Sequence, residues 1–165
     1  MLATILLSLS LNVPLDQVSM APPMKPVGES RLKVLWFPIY HARLYSDNGV
    51  YDGIEAPLAL DLTYLRDIDA DDLIDHTRSE WKRLNLYDAK TSEAWLMKLA
   101  QLWPDVASGD RLTLVMQPEQ SVFFFNGEPL GHIAEAQFGE QFLAIWLHPD
   151  SRYPKLRNAL IGQSR

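Results

Sequence analysis

The sequence predicts an α+β domain, an antiparallel β-sheet with helices packed on one face in an open-faced sandwich. Three observations predict it. Runs of aromatic and branched residues, bounded by turn residues, fall into two groups along the chain. A pair of helical patterns follows each group. No strand–helix alternation suggests a parallel, doubly wound sheet. With 165 residues, 47% hydrophobic and 22% charged, the chain has the size and composition of one self-folding domain.

Residues 1–27 read as a segment apart from a domain over 28–165. The first 19 residues carry one charge, Asp16, and an apolar run from Leu2 to Leu11 that is too short to span a membrane. The run suits an export signal, which would place the protein in the periplasm. No Lys or Arg precedes it and no clear cleavage site follows, so a loosely docked N-terminal segment of a cytoplasmic protein stays open beside that reading. Ala21-Pro22-Pro23-Met24-Lys25-Pro26 reads as an extended linker.

Arg31 to Tyr45, RLKVLWFPIYHARLY, has no helix start signal and predicts one long strand, bent at Pro38. Ser46-Asp47-Asn48-Gly49 and Asp52-Gly53 then turn the chain into a second strand, Leu58 to Leu65, paired with the first. On that second strand Leu58, Leu60, Leu62 and Tyr64 share a buried face that leads to Arg66, with Asp61 and Thr63 on the other. Acidic residues early and basic residues late in DADDLIDHTRSEWKRLN predict a helix over 70–84. Thr91 or Ser92 caps a second helix, which carries Trp95, Leu96, Leu99, Leu102 and Trp103 at helical spacing to a stop at Pro104. RLTLVMQ, Ser121 to Phe125 and Glu128 to Ile133 form a meander with Asn126-Gly127 at its second turn. A helix presenting Phe138, Phe142, Ile145 and Trp146, then a short terminal helix, complete the order.

A formal net charge of −6 argues against a nucleic-acid surface, which needs basic side chains to displace counterions. The absence of cysteine removes disulfides and thiolate metal sites. His41, His76, His132 and His148 fall on separate elements without ligand spacing, so no metal is expected. No phosphate loop, dinucleotide fingerprint or nucleophile elbow occurs, and no cofactor is expected. The group Asp67, Asp69, Asp71, Asp72 and Asp75 is explained by a helix start. What stands out is basic and phenolic residues on apolar strands: Arg31, Tyr40, Tyr45, Tyr64 and Arg66. A half-buried guanidinium calls for an anion, either a ligand or a nearby aspartate, and tyrosines can orient a ligand oxygen from an apolar wall.

VGESRLKVLWFPIYHARLY, PLALDLTYLRDIDADDL, FNGEPLGHI and FLAIWLHPDSRYPKLRNALIG, in that order from Val27 to Gly162, together resemble the bacterial chalcone isomerase-like family. The resemblance implies an antiparallel sheet with helices against it and a ligand cleft between. It also implies that a strand-head arginine meets a phenolate in the plant isomerases or a carboxylate in the fatty-acid-binding branch, and Arg31 best matches it. The plant enzymes share a lysine and a tyrosine near the passage from sheet to helix. This chain has RDIDADDLIDHT there instead. The expectation is therefore a non-catalytic protein binding a small amphipathic anion such as a fatty acid, with Arg31 at the head group. An isomerase of conjugated phenols and an exported accessory protein with a protein partner are the alternatives.

Overall fold

The computed structural model describes residues 24–163. Ten elements follow in order: β1 Lys25–Val34, β2 Phe37–Ser46, β3 Leu58–Tyr64, α1 Ala70–Arg83, α2 Thr91–Leu102, β4 Arg111–Met116, β5 Ser121–Phe125, β6 Glu128–Ile133, α3 Ala136–Leu147 and α4 Pro154–Leu160. The six strands form one antiparallel sheet in sequence order. The four helices gather on one face, where Leu60, Leu62, Leu114 and Phe123 join the main core. A separate, smaller cluster of Ala59, Val115, Val122 and Phe124 occupies the other face.

One element was not foreseen. The stretch read as a single bent strand is a hairpin, β1 and β2, joined at Leu35-Trp36. Neither residue carries turn chemistry, yet Leu35 takes a φ of 57°, the left-handed region that Asn or Gly usually supplies. By contrast Asn126 and Gly127, with φ of 51° and 84°, close the β5–β6 hairpin as their sequence predicts. The first strand also begins at Lys25, so part of the proline-rich stretch is sheet.

The two helices between β3 and β4 leave and rejoin the sheet at one point. There Ile68 and Val106 exchange both backbone hydrogen bonds at 2.9 Å. α1 places Asp71 and Asp72 in its first turn and Lys82 and Arg83 in its last, complementing its dipole. Its first N–H groups need an outside acceptor, and Ala70 N–H donates to Asp105 Oδ1 at 2.8 Å. At α2, Thr91 and Ser92 do not cap the helix. Asp88 Oδ1 accepts from Lys90 and Thr91 N–H, and Ser92 Oγ accepts from the Asp88 amide.

Aromatic rings bond the layers. Phe138 meets Trp95, Phe142 and Phe123 with ring centroids 5.6, 5.6 and 6.0 Å apart. Two glycines allow the closest approaches. A Cβ on Gly28 would collide with the Ala159 carbonyl oxygen where β1 meets α4, and one on Gly139 would lie 2.6 Å from Ser121 Oγ. Since Gly28 faces rigid backbone, Gly28→Ala should destabilise more than Gly139→Ala, whose neighbours include the flexible Met116 side chain. Phe138→Ala should cost about 3–5 kcal/mol in chemical denaturation, with Met97→Ala, on an exposed helix position, within about 0.5 kcal/mol of the parent. Equal losses for Phe138→Ala and Met97→Ala would contradict this packing.

Candidate functional site

Between the sheet and the helices lies a cavity of about 520 Å³. It exists because α1 packs on α2 and α3, leaving space between it and the first strands. The sheet contributes Leu32, Tyr40, Leu62 and Tyr64, alternate residues whose side chains share the inner face. The helix layer contributes Leu73, Thr77, Ile145 and Trp146, and Trp103 comes from the end of α2. At its rim stand Arg66, Asp67, Asp69, Asp72 and His76. The wall is thus apolar with polar groups concentrated toward one end, the usual arrangement of a small-molecule site.

Two tyrosines face inward. The Trp146 indole N–H donates to Tyr40 Oη at 2.9 Å, and the Tyr40 and Tyr64 rings meet edge to face at 6.0 Å. Burial raises the pKa of both hydroxyls far above the ordinary phenol value. Both therefore stay protonated at neutral pH and can donate, and Tyr40, already an acceptor, keeps its own proton for another partner. His76 is held below its ordinary value chiefly by burial, opposed by the nearby Glu80 charge and supported by Arg152. It is neutral at neutral pH.

The charged groups divide sharply. Glu80, 2% exposed, accepts from Arg152 Nε and from Arg83 Nε at 2.6 and 3.2 Å, so those cations are committed to a buried carboxylate. Arg78 is held by Asp75 and Glu93. Arg66 forms no ion pair or side-chain hydrogen bond among the described residues. Its neighbour Asp67 instead accepts the Ser108 amide at 2.9 Å. Asp69 begins α1, where its carbonyl accepts from Asp72 and Leu73. Proximity in sequence did not make Arg66 a partner of either aspartate.

Of the five residues singled out in the sequence, the structure brings three together: Tyr40, Tyr64 and Arg66. Arg31 is exposed and does not line the cavity. It pairs with His41 across β1 and β2, and strand alternation sends both away from Leu32 and Tyr40. Tyr45 packs on the outer cluster beside Ala59 and Val115. Sequence reasoning missed Trp103, Trp146, His76, Thr77 and Tyr153. Helical spacing gives Trp103 and Trp146 only a core face and His76 is considered only for metal spacing, while no local signal marks Thr77 or Tyr153, because all of them meet the strands through tertiary packing. The Trp103 indole N–H is buried without a partner in this wall.

The family model that matches residues 28–162 is described as chalcone isomerase-like. An uncharacterized protein of Haemophilus influenzae is 30% identical over 141 residues, covering 86% of this chain and 69% of that protein. Among solved structures, an Arabidopsis thaliana fatty-acid binding protein superimposes with a TM-score of 0.66 at 11% identity, over 84% of this chain and 87% of that one. At that identity the likeness concerns the fold, and it fits the six-stranded open sheet and its helix layer. With a family match spanning nearly all of the described residues, the chain belongs to the chalcone isomerase-like family.

Proposed function

We propose that the protein is a non-catalytic binder of a small amphipathic anion, a fatty acid being the type, with the acyl chain in the cavity and the carboxylate at Arg66. The observation that carries this reading is the cavity itself, about 520 Å³ and largely apolar, with an uncommitted guanidinium at its rim. That volume lies within the roughly 300–1,000 Å³ typical of small-molecule sites. The fold likeness to a protein described as fatty-acid binding supports it. Tyr40 and Tyr64 serve as neutral donors to ligand oxygen, and Arg31 and Tyr45 take no part.

The aspartates near Arg66 oppose an anion, so magnitudes decide. Arg66 is itself exposed, so its attraction for a carboxylate and the repulsion by the aspartates both fall on the scale of exposed charges, usually below about 1 kcal/mol, and the guanidinium adds direct, two-pronged hydrogen bonding. Asp67 is also engaged by an amide, and Asp69 and Asp72 sit at the positive end of the α1 dipole. The guanidinium wins at the rim.

An isomerase of this family would need a cation to hold the nucleophilic oxygen and a group to handle the proton. Neither tyrosine is a base at neutral pH, and His76, the ring nitrogen that could take a proton, stands at the exposed rim, which favours binding over chemistry. A docking protein with no internal cleft is disfavoured by the cavity. The apolar run Leu2–Leu11, outside the described residues, supports export to the periplasm. N-terminal sequencing of the mature protein tests that point: an intact Met1 on protein recovered from cells would oppose it.

Delipidated protein titrated with a long-chain fatty acid should saturate near one ligand per chain. Arg66→Ala should weaken that binding by about threefold to fivefold while leaving affinity for the corresponding fatty alcohol nearly unchanged, because only the carboxylate uses the guanidinium. Arg31→Ala should bind like the parent. No saturable binding, or a larger loss in Arg31→Ala than in Arg66→Ala, would overturn the assignment. Tyr40→Phe should also lower stability by about 1–3 kcal/mol by stranding the Trp146 N–H, and Tyr64→Phe should not. A chalcone panel followed by absorbance, with the product checked for a single enantiomer, should show no acceleration over spontaneous closure.

A further inference from the structure

The β1–β2 hairpin ends in Val34, Leu35, Trp36 and Phe37, which are 41%, 79%, 76% and 54% exposed. These are four consecutive large apolar side chains on the outside of a protein whose other four tryptophans, Trp81, Trp95, Trp103 and Trp146, are all buried. The Trp36 and Phe37 rings lie 5.9 Å apart, so they form one patch. Leu35 adds backbone strain, since it holds a left-handed conformation that the Asn-Gly pair of the β5–β6 hairpin adopts freely. Neither local backbone preference nor the core explains this composition.

The tip continues into the cavity. Val34 is at once exposed and part of the cavity wall, and Leu32 and Ile39 line the wall beside it. Arg31 and Lys33 alternate with Leu32 and Val34 along β1, exposed and forming no ion pair among the described residues. A projecting aromatic tip with basic residues behind it has the composition of an interfacial lipid anchor, in which Trp sits among head groups and Lys or Arg meets anionic phosphates.

We propose that this tip inserts into the surface of an anionic lipid bilayer, so that the cavity loads and unloads its ligand at the membrane. The loading role rests on the ligand reading given above; the docking does not. The two cations, on the outer sheet face away from Asp67, Asp69 and Asp72 of the cavity rim, supply local attraction in a chain whose formal net charge is −6, which makes the contact dependent on anionic lipid and sensitive to salt. A second copy is the competing occupant, and self-association through the tip is its signature.

The test uses the full chain with vesicles of phosphatidylcholine, with and without phosphatidylglycerol. The protein should float with the mixed vesicles, and brominated lipid should quench the exposed Trp36 with a blue shift in emission. Leu35→Asn with Trp36→Gly installs the better turn pair, so the fold should be retained, and partitioning should fall by on the order of tenfold or more. Lys33→Glu with Arg31→Glu should remove the preference for phosphatidylglycerol. Fatty-acid titration without vesicles should be unchanged in both variants, while pickup of fatty acid from vesicles should slow in the first. Absence of flotation, partitioning unaffected by the turn variant, or tip-dependent self-association in sedimentation would overturn the proposal. Fatty-acid binding in solution without flotation would remove the docking alone, and flotation without fatty-acid binding would remove the ligand reading alone.

Discussion

The site depends on how the aromatic rings space the helix layer from the sheet. Rings are large and have few rotamers, so they act as fixed spacers. Around Phe138 they fill the gap: Trp81, Trp95, Phe123 and Phe142 all contact that ring. Hydrogen bonds lock the arrangement, with the Trp81 indole donating to Gln141 O of α3 and the Trp95 indole to Glu135 Oε2 just before it. The chain of rings continues from Phe142 through Trp146 to Tyr40 and Tyr64, where it becomes the wall of the cavity.

The same helix that borders the cavity carries the most demanding charge in the molecule. Glu80 is buried on α1, and removing a partner from such a carboxylate costs about 3–5 kcal/mol. Arg152, from the segment between α3 and α4, and Arg83, on α1 itself, answer it, while Arg83 also donates to Asp150 O. The charge network therefore fixes α1 to the far end of the chain. Arg66 lies outside that network, at the opposite end of the helix. This division separates cations with a structural duty from one with none.

Much of the fold could be read locally because its signals are local. The α1 charge asymmetry, the Asn126-Gly127 turn and the Leu58, Leu60, Leu62, Tyr64 face all appear in the structure where the residues place them. The Leu35-Trp36 turn could not be read, because its residues are chosen against turn propensity. The position of Arg31 outside the cavity lining also has a local cause. Arg31, Lys33, His41 and Arg43 occupy one parity along these strands and Leu32, Val34, Ala42 and Leu44 the other, so alternation alone puts Arg31 on the water side. The Trp146–Tyr40 bond and Asp105 at the start of α1 join residues far apart in sequence, which no local pattern contains.

The polarity of the hydrogen bonds at the cavity constrains its chemistry further than its shape does. Tyr40 receives the Trp146 proton and so directs its own elsewhere, Tyr64 is a buried hydroxyl kept neutral, and Arg66 can only donate. A ligand that meets these donors must bring acceptors to them and be apolar where it lies against the rest of the wall. His76 is the neutral nitrogen in the wall able to accept a proton, but it stands at the rim with the aspartates, where water competes for the same role. Donors on an apolar wall, with the titratable groups at the wet edge, suit a ligand whose oxygen accepts hydrogen bonds and whose remainder is apolar.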